Sequence, residues 1–599
     1  MRKTAIRIGM FCGIIMLAGA PAPGAAQPAG PCGQIVTACQ QAGFVQGGAR
    51  TGDGIQVDCV RPIMQGSGQP RRASKPLPDI DPQLIAACKA RNPNFGVGQR
   101  NGPPADTLPG PGPNPAPNAP PPAGTDPTAL ASPPALPAGA KRPNIIFVLA
   151  DDFSLDLVQY MPHLLKMQQD GVTFANYFVT DSLCCPSRSS IFTGRYPHDT
   201  GIYRNVGPDG GYLGFLKRGH ERTTFATALT AAGYHTAMLG KYLNGYQPRQ
   251  HAIAPGWNLW NVAGNGYPGF NYELNQNGKV VHYASRPEDY LTDVVSGSAA
   301  DFIKQQTADR PFLIEIATFA PHAPYTPAPR DADAFAGLRA PRTPAFNAAP
   351  NAAAPKWLAT LPALSEIEVA MIDNDYRKRA QSVLAIDAMI GALQQAVAAI
   401  GAADNTYFVF SSDNGYHMGE HRMTPGKMTA FDTDIHVPLV VTGPGVPAGR
   451  TIEEIVQNTD LCPTFAELGF ATAPPSVDGR SLVPLLRGET PEGWRTLALV
   501  EHRGPVRNIT DPDLPGPRSG NPPTYEAIRT ATSLYVEYAN GEKEFHDLAA
   551  DPHELRNTFA SLLDDRKAAL HAALAAVANC HNAVGCQAAE RMERTAMRN

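Results

Sequence analysis

Short apolar runs, each closed by polar residues, recur from residue 145 onward and alternate with segments whose apolar positions fall three and four apart. That alternation predicts strands joined by amphipathic helices, an α/β fold built on a largely parallel sheet. The first run is Ile145 to Ala150. A helical piece containing Leu164, Leu165 and Met167 follows and ends at Gly171. Thr224 is placed to cap a helix from Phe225 to Ala232, Gly233 to end it, and His235 to Gly240 reads as the next strand. Phe312 to Thr318 is another buried strand. Ile386, Ile390, Leu393, Val397 and Ile400 mark one face of a longer helix leading into a strand at Tyr407 to Ser412, and Val437 to Thr442 gives one more. Ser533 to Tyr538 and an alanine-rich helix from Ala560 onward suggest a smaller α+β subdomain from Leu497, contributing to the pocket wall. The charged residues around His546 are expected to form surface pairs.

In open parallel sheets, ligands bind beyond the carboxyl ends of the strands, so the residues just after each apolar run carry the chemical interest. Asp151 and Asp152 follow the first strand, Asp413 and Asn414 follow Tyr407 to Ser412, Lys241 follows Gly240, and Pro321 and His322 follow Phe312 to Thr318. A single adjacent acidic pair is more often a turn or a helix cap. Two pairs at equivalent strand ends instead form a set of hard oxygen ligands that suits Ca²⁺ or Mg²⁺ rather than zinc. Taken alone, His322 reads as a structural histidine and Lys241 as a surface charge; their shared edge gives both a functional reading.

Composition adds organisation. With 599 residues the chain exceeds one ordinary hydrophobic core, so two or more domains are expected. A net charge of −4 with 17% charged residues supplies no broad basic field, so no nucleic-acid partner is expected. Arg2 and Lys3, the apolar stretch Ile8 to Ala20 and the small residues Gly24, Ala25 and Ala26 read as an export signal cleaved near Ala26, which implies a periplasmic or secreted protein. That stretch is shorter than the roughly 20 residues a span requires, and no integral membrane span is expected in the mature chain.

Residues 102–141 are dominated by Pro, Ala and Gly and form a semi-rigid linker. The boundaries that follow are a signal at 1–26, a small module at 27–101, the linker, a catalytic domain at 142–496 and the subdomain at 497–599. The module carries Cys32, Cys39, Cys59 and Cys88, enough for two disulfides, and Cys580 and Cys586 can staple a short loop. Cys184, Cys185 and Cys462 are left over, and the odd number points to one thiol with another fate or to an inert buried cysteine.

The stretch Leu183 to Arg195, LCCPSRSSIFTGR, resembles the sulfatase signature, in which Cys-x-Pro-Ser-Arg directs a modifying enzyme and Thr-Gly-Arg follows. The matching residues are Cys184, Pro186, Ser187, Arg188, Thr193, Gly194 and Arg195. The resemblance extends through Ala150 to Asp152, Gly233 to Tyr242, Pro321 to Pro324, Ser411 to His421 and Lys427 into the C-terminal part, covering nearly everything after the linker. The spellings CCPSR, GRYPH, GKYLNGY and DNGYHMGEH look most like those of glucosamine-6-sulfatases and heparan endosulfatases.

Membership would imply an alkaline-phosphatase-like sandwich and hydrolysis of a sulfated sugar or glycan. It would also imply conversion of Cys184 to formylglycine by a formylglycine-generating enzyme. One hydroxyl of the hydrated aldehyde attacks sulfur in that family and the other helps to expel sulfate. Asp151, Asp152, Asp413 and Asn414, with the modified Cys184, would hold Ca²⁺, with Mg²⁺ as the alternative. Arg188 would support the formylglycine and the carboxylates, Lys241 and Lys427 would clamp sulfate oxygens, and His322 would protonate the leaving oxygen. Ser187 and Thr193 would be structural parts of the turn.

Many sulfatases carry a histidine two positions after the lysine matched to Lys241; here Leu243 stands there, so the base for sulfate release is unassigned. His198 and His417 lie near the motifs and are candidates for that base or for structural work. The rival readings are an arylsulfatase, a phosphate or phosphonate monoester hydrolase of the same superfamily, and an inactive domain that binds sulfated glycans.

Overall fold

The computed structural model describes residues 31–44, 55–65, 69, 75–91, 136, 139, 141–307 and 310–591. The expected signal lies outside these residues, as does the linker apart from residues 136, 139 and 141. The chain divides into two units at residues 122 and 123. In the first, the helices Pro31–Gln41 and Pro82–Arg91 enclose a core of Ile35, Phe44, Val60 and Met64. Its four described cysteines pair as Cys32–Cys88 and Cys39–Cys59, a covalent supplement suited to so small a core.

The second unit holds a ten-stranded sheet. In chain order its strands are β1 (Asn144–Ala150), β2 (Val172–Phe178), β3 (His235–Lys241), β4 (Leu259–Ala263), β5 (Tyr272–Gln276), β6 (Lys279–Tyr283), β7 (Phe312–Ala317), β8 (Thr406–Ser412), β9 (Leu439–Thr442) and β10 (Arg450–Gln457). They lie in the order β10-β2-β9-β8-β1-β7-β3-β4-β5-β6, and the run from β8 to β4 is entirely parallel. β9, β5 and β6 pair antiparallel with their neighbours.

Strands β1, β3, β7 and β8 and the helix Pro162–Asp170 match the apolar pattern to within a residue or two. Thr224 caps the helix Phe225–Ala231 as expected, its side chain accepting from Thr227 N–H. The helix before β8 is far longer than its periodic face, running Glu366–Ala399 from a Ser365 cap. Its first half carries Asp373, Asp375, Arg377, Lys378 and Arg379, whose charges hide the apolar stripe. By length and composition this is the one described helix apolar enough to cross a membrane, yet 61% of its apolar window is buried inside the protein.

β11 (Leu497–His502), β12 (Tyr525–Thr530), β13 (Ser533–Tyr538) and β14 (Lys543–Asp547) form a separate antiparallel sheet covered by the helix Asp564–Ala578. Cys580 and Cys586 are joined beyond that helix. The charged residues around His546 are not surface pairs: His546 and Glu544 are each 2% exposed and lie 3.1 Å apart. They face inward because His546 sits on a strand whose alternate positions pack toward Phe431.

A buried ion network locks this sheet to the main one. Arg495 Nη2 donates to Asp460 Oδ1 at 2.8 Å and Arg495 Nε to Glu590 Oε2 at 3.0 Å, with all three side chains fully buried. Arg480 pairs with the same Glu590, and Tyr196 Oη donates to it at 2.6 Å. Removing one member of such a network strands an uncompensated buried charge. Arg495→Met is therefore expected to cost about 3–5 kcal/mol, read as a lower denaturant midpoint at unchanged m value.

Candidate active site

Five chain segments converge at the carboxyl edge of β1, β7, β8 and β3. β1 and β8 are immediate neighbours in register, Ala150 opposite Ser412, so their acidic pairs meet although far apart in sequence. Asp413 Oδ1 accepts from the N–H of Asp152 at 3.1 Å, and Asn414 Nδ2 donates to Asp152 Oδ1 at 2.7 Å. Asp151, Asp152, Asp413 and Asn414 are all fully buried.

Cys184 opens a ten-residue helix, Cys184–Thr193, that is buried along its whole length. The signature residues fasten this helix. Ser187 Oγ donates to the carbonyl of Asp413 and accepts from Asn458 Nδ2 at 2.9 Å. Thr193 Oγ1 donates to the carbonyl of Ser189 at 2.7 Å. Gly194 ends the helix at φ 73°, where a Cβ would lie 3.0 Å from Val477 and 3.1 Å from Cys462. Arg188 Nε donates to Asp413 Oδ2 at 2.8 Å and its Nη1 to the carbonyl of Lys241 at 3.1 Å.

Gly240, at φ 90°, lies where a Cβ would come within 2.0 Å of the Ala317 carbonyl, so only glycine lets β3 close on β7 and deliver Lys241. Lys241 Nζ then reaches Asp151 Oδ2 at 2.5 Å. Lys427 Nζ donates to Asp152 Oδ1 at 2.6 Å and lies 3.0 Å from Cys184 Sγ, which is itself 3.3 Å from Asp151 Oδ1. His322 Nδ1 faces the Ala323 carbonyl at 2.8 Å, and its Nε2 is 3.5 Å from Asp152 Oδ2. All nine residues singled out in the sequence thus share one cluster.

The electrostatics are those of a buried cradle in which Arg188, Lys241 and Lys427 balance the carboxylates. Burial acts to raise the Asp413 carboxyl, but Arg188, Lys241 and Lys427 outweigh it and hold it down to about 2. Asp151 is raised, by burial first, against the pull of Lys241. Burial opposes the charged form of His322, yet Asp152 and Asp513 raise it. Burial, then Asp151 and Asp513, push the Cys184 thiol well above its ordinary value, so as a thiol it is a poor nucleophile.

The donor set fits a hard divalent cation. Asp152 Oδ2 and Asn414 Oδ1 are buried with no hydrogen-bond partner, and ligand atoms of Asp151, Asp152, Cys184 and His322 lie within 4.8 Å of one another. Carboxylate and amide oxygens of this kind are what Ca²⁺ or Mg²⁺ takes.

Several site residues carry no sequence signal. Arg379, from the middle of the long helix, donates through Nη2 to the carbonyl of Asp152 at 2.6 Å and to Ser154 Oγ at 2.9 Å. Tyr267 lays its ring 4.5 Å from that of His322 and 5.0 Å from Lys241 Nζ. Asp513, on the segment between β11 and β12, places Oδ1 2.6 Å from His322 Nε2. A cavity of about 160 Å³ opens beside them, lined by Asp152, His322, Tyr416, Lys427, Asp513 and Leu514. A roomier opening, about 450 Å³, lies at the other end of the strands by Asn144 and Phe312, remote from these groups.

Fold and site together define a hydrolase of the alkaline-phosphatase-like class. The chain belongs to the sulfatase family, whose model matches residues 143–469, and is a sulfuric ester hydrolase. The model of the N-sulphoglucosamine sulphohydrolase C-terminal region matches residues 419–579. N-acetylglucosamine-6-sulfatase of Capra hircus is 34% identical over 71% of this chain and 81% of its own. A solved complex of a protein with its substrate D-glucosamine-2-N,6-O-disulfate superposes with a TM-score of 0.62 at 24% identity, over 76% of this chain and all of the other. The phosphonate monoester hydrolase of Agrobacterium radiobacter gives a TM-score of 0.54 at 24% identity, over 71% and 93% of the two chains. At those identities the structures speak for the shared fold.

Neither histidine considered for sulfate release reaches Cys184. His198 Nδ1 is 2.8 Å from Glu501 and its Nε2 2.8 Å from the Cys580 carbonyl, so it joins the main sheet to the C-terminal one. His417 Nδ1 faces Asp434 at 2.9 Å. Burial opposes a charge on His198, but Glu501 raises it to about 9, above its ordinary 6.5. A raised folded-state value stabilises fully below the unfolded one and is lost as pH climbs through the folded one. Thermal stability is thus expected to fall between about pH 6.5 and 9, and His198→Ala to flatten that slope while sulfatase turnover persists.

Proposed function

We propose that this chain is an exported, formylglycine-dependent and Ca²⁺-dependent sulfatase that removes sulfate from a sulfated aminosugar of the glucosamine-6-sulfate type. The observation that carries this is the position of Cys184. Its Sγ, which marks the place of the formylglycine oxygens, lies beside Asp151, Lys427 and Asp513 at the start of a buried helix. The sugar assignment draws on the resemblance to N-acetylglucosamine-6-sulfatases and on a pocket of about 160 Å³ against the cation cluster. The signal at the amino terminus and the disulfides of both units support export.

The reaction takes a sulfate ester and water to an alcohol and hydrogen sulfate. Conversion to formylglycine supplies, at position 184, a hydroxyl nucleophile that the buried thiol cannot offer. A bound divalent cation supplies charge neutralisation at the sulfate oxygens and acidifies that hydroxyl. Asp151, Asp152, Asp413 and Asn414 hold the cation, and Asp413 in turn is fixed by Arg188. Lys241 and Lys427, each 3% exposed, grip the sulfate as point charges in a site nearly free of water. His322, kept protonated by the carboxylates around it, holds the proton that the leaving oxygen needs.

A phosphonate monoester hydrolase shares this fold. Parallel kinetics on aryl sulfate and aryl phosphate separate the readings, and a strong phosphate preference overturns this one. Mass spectrometry of residues 183–195 from active enzyme is expected to find an aldehyde at position 184. Cys184→Ala is expected to lower turnover by roughly a thousandfold or more. Chelation is expected to abolish activity, with Ca²⁺ restoring it. Fully active protein with an ordinary thiol at position 184 would sink the proposal.

A further inference from the structure

The signature stretches account for every charged side chain close to Cys184 except Asp513. Its side chain is 3% exposed, with Oδ1 2.6 Å from His322 Nε2 and 3.0 Å from Lys427 Nζ, and Oδ2 3.5 Å from Cys184 Sγ. The position is built. Asn205 Nδ2 donates to Asp513 Oδ2 at 2.6 Å and to Asp511 Oδ1 at 3.2 Å, while Asp511 Oδ1 also accepts from the N–H of Asp513 at 3.0 Å. Asn205, fully buried, closes the chain by accepting through Oδ1 from the N–H of Cys185 at 2.9 Å. The carboxylate is thereby tied to the residue beside the nucleophile.

Any anion that approaches Cys184 must meet Lys427 and His322, and so enters the field of this fixed negative charge. The groups facing Asp513 are Lys427, His322 and the more distant Lys241 on the positive side, with Asp511 on the negative side and Asn205 and Cys184 beside it. Little solvent intervenes to screen it. A sulfate monoester carries one negative charge, whereas a phosphate monoester carries nearly two above its second pKa of about 6. The cations attract both, and a built-in carboxylate penalises the second more than the first, which is discrimination by repulsion.

We propose that Asp513 is a specificity-determining residue that favours singly charged sulfate esters over doubly charged phosphate esters. The proposal rests on the sulfatase reading of the same site. The test compares kcat/KM for p-nitrophenyl sulfate and p-nitrophenyl phosphate in the full chain, loaded with Ca²⁺ and matched for aldehyde content, for the natural protein, Asp513→Asn and Asp513→Glu. At pH 8 the Asn variant is expected to raise the phosphate-to-sulfate ratio roughly tenfold or more, and the Glu variant to keep the natural ratio. At pH 5, where a larger share of the phosphate ester is singly charged, the effect of Asn is expected to shrink.

The natural protein alone gives an independent reading. It is expected to prefer an aryl phosphonate monoester, singly charged at both pH values, over the aryl phosphate at pH 8, with the gap narrowing at pH 5. An unchanged ratio in a folded Asn variant, a rise as large at pH 5, or no phosphonate preference overturns the proposal. Sulfate turnover by the natural protein alongside any of these outcomes removes only this inference; no sulfate turnover at all removes the reading beneath it.

Discussion

The mutual neutralisation of buried charge at the end of β1 and β8 is the constraint on which the rest of the structure depends. Asp151, Asp152 and Asp413 are fully buried and mutually repulsive, and each is an expensive ion to remove from water. Arg188, Lys241 and Lys427 reach them from three other segments, so the ion cluster assembles only if the helix of Cys184, the end of β3 and the loop after β8 are all in place. The balance sets the protonation of the site, from the depressed Asp413 to the raised His322. It leaves Asp152 Oδ2 and Asn414 Oδ1 without a hydrogen-bond partner, which is what a cation needs.

The scaffold meets this demand with rigid parts. Five parallel strands present their carboxyl ends to one edge, and the long helix Glu366–Ala399 braces that edge through Arg379 and the carbonyl of Asp152. The helix of Cys184 has no exposed residue, being held by Ser187 and Arg188 on one side and ended by Gly194 on the other. The residues of its signature therefore do mechanical work as well as marking Cys184. Catalytic groups built on helices and strand ends hold their geometry better than groups on free loops.

The antiparallel C-terminal sheet completes the pocket. It shares an apolar core with the main sheet through Ala498, Val500, Leu534 and Val536, and buried polar links run through Arg495, Asp460 and Glu590 and through His198 and Glu501. Between β11 and β12 it sends Asp513 and Leu514 into the pocket wall, with Asp511 accepting from the N–H of Asp513 behind them. The residues matched to the sulfatase motifs sit on the main sheet and its loops, while part of the pocket wall comes from the segment between β11 and β12.

The sequence by itself determined the parallel sheet, the edge that carries the chemistry and the nine residues gathered there. Strand ends follow from apolar runs, acidic pairs at equivalent ends have few other uses, and the signature around Cys184 is densely specified. Strands β2, β4 to β6 and β10 escaped because polar residues interrupt their apolar runs, and the front of the long helix because the charged residues from Asp373 to Arg379 interrupt its stripe. Only the tertiary structure paired Cys32 with Cys88 and Cys39 with Cys59, since spacing leaves connectivity open. It alone assigned His198 to a buried ion pair, and it alone brought Arg379, Tyr267 and Asp513 to the site. Contacts between residues far apart in the chain are decided by packing and charge balance in three dimensions, and local sequence carries no record of them.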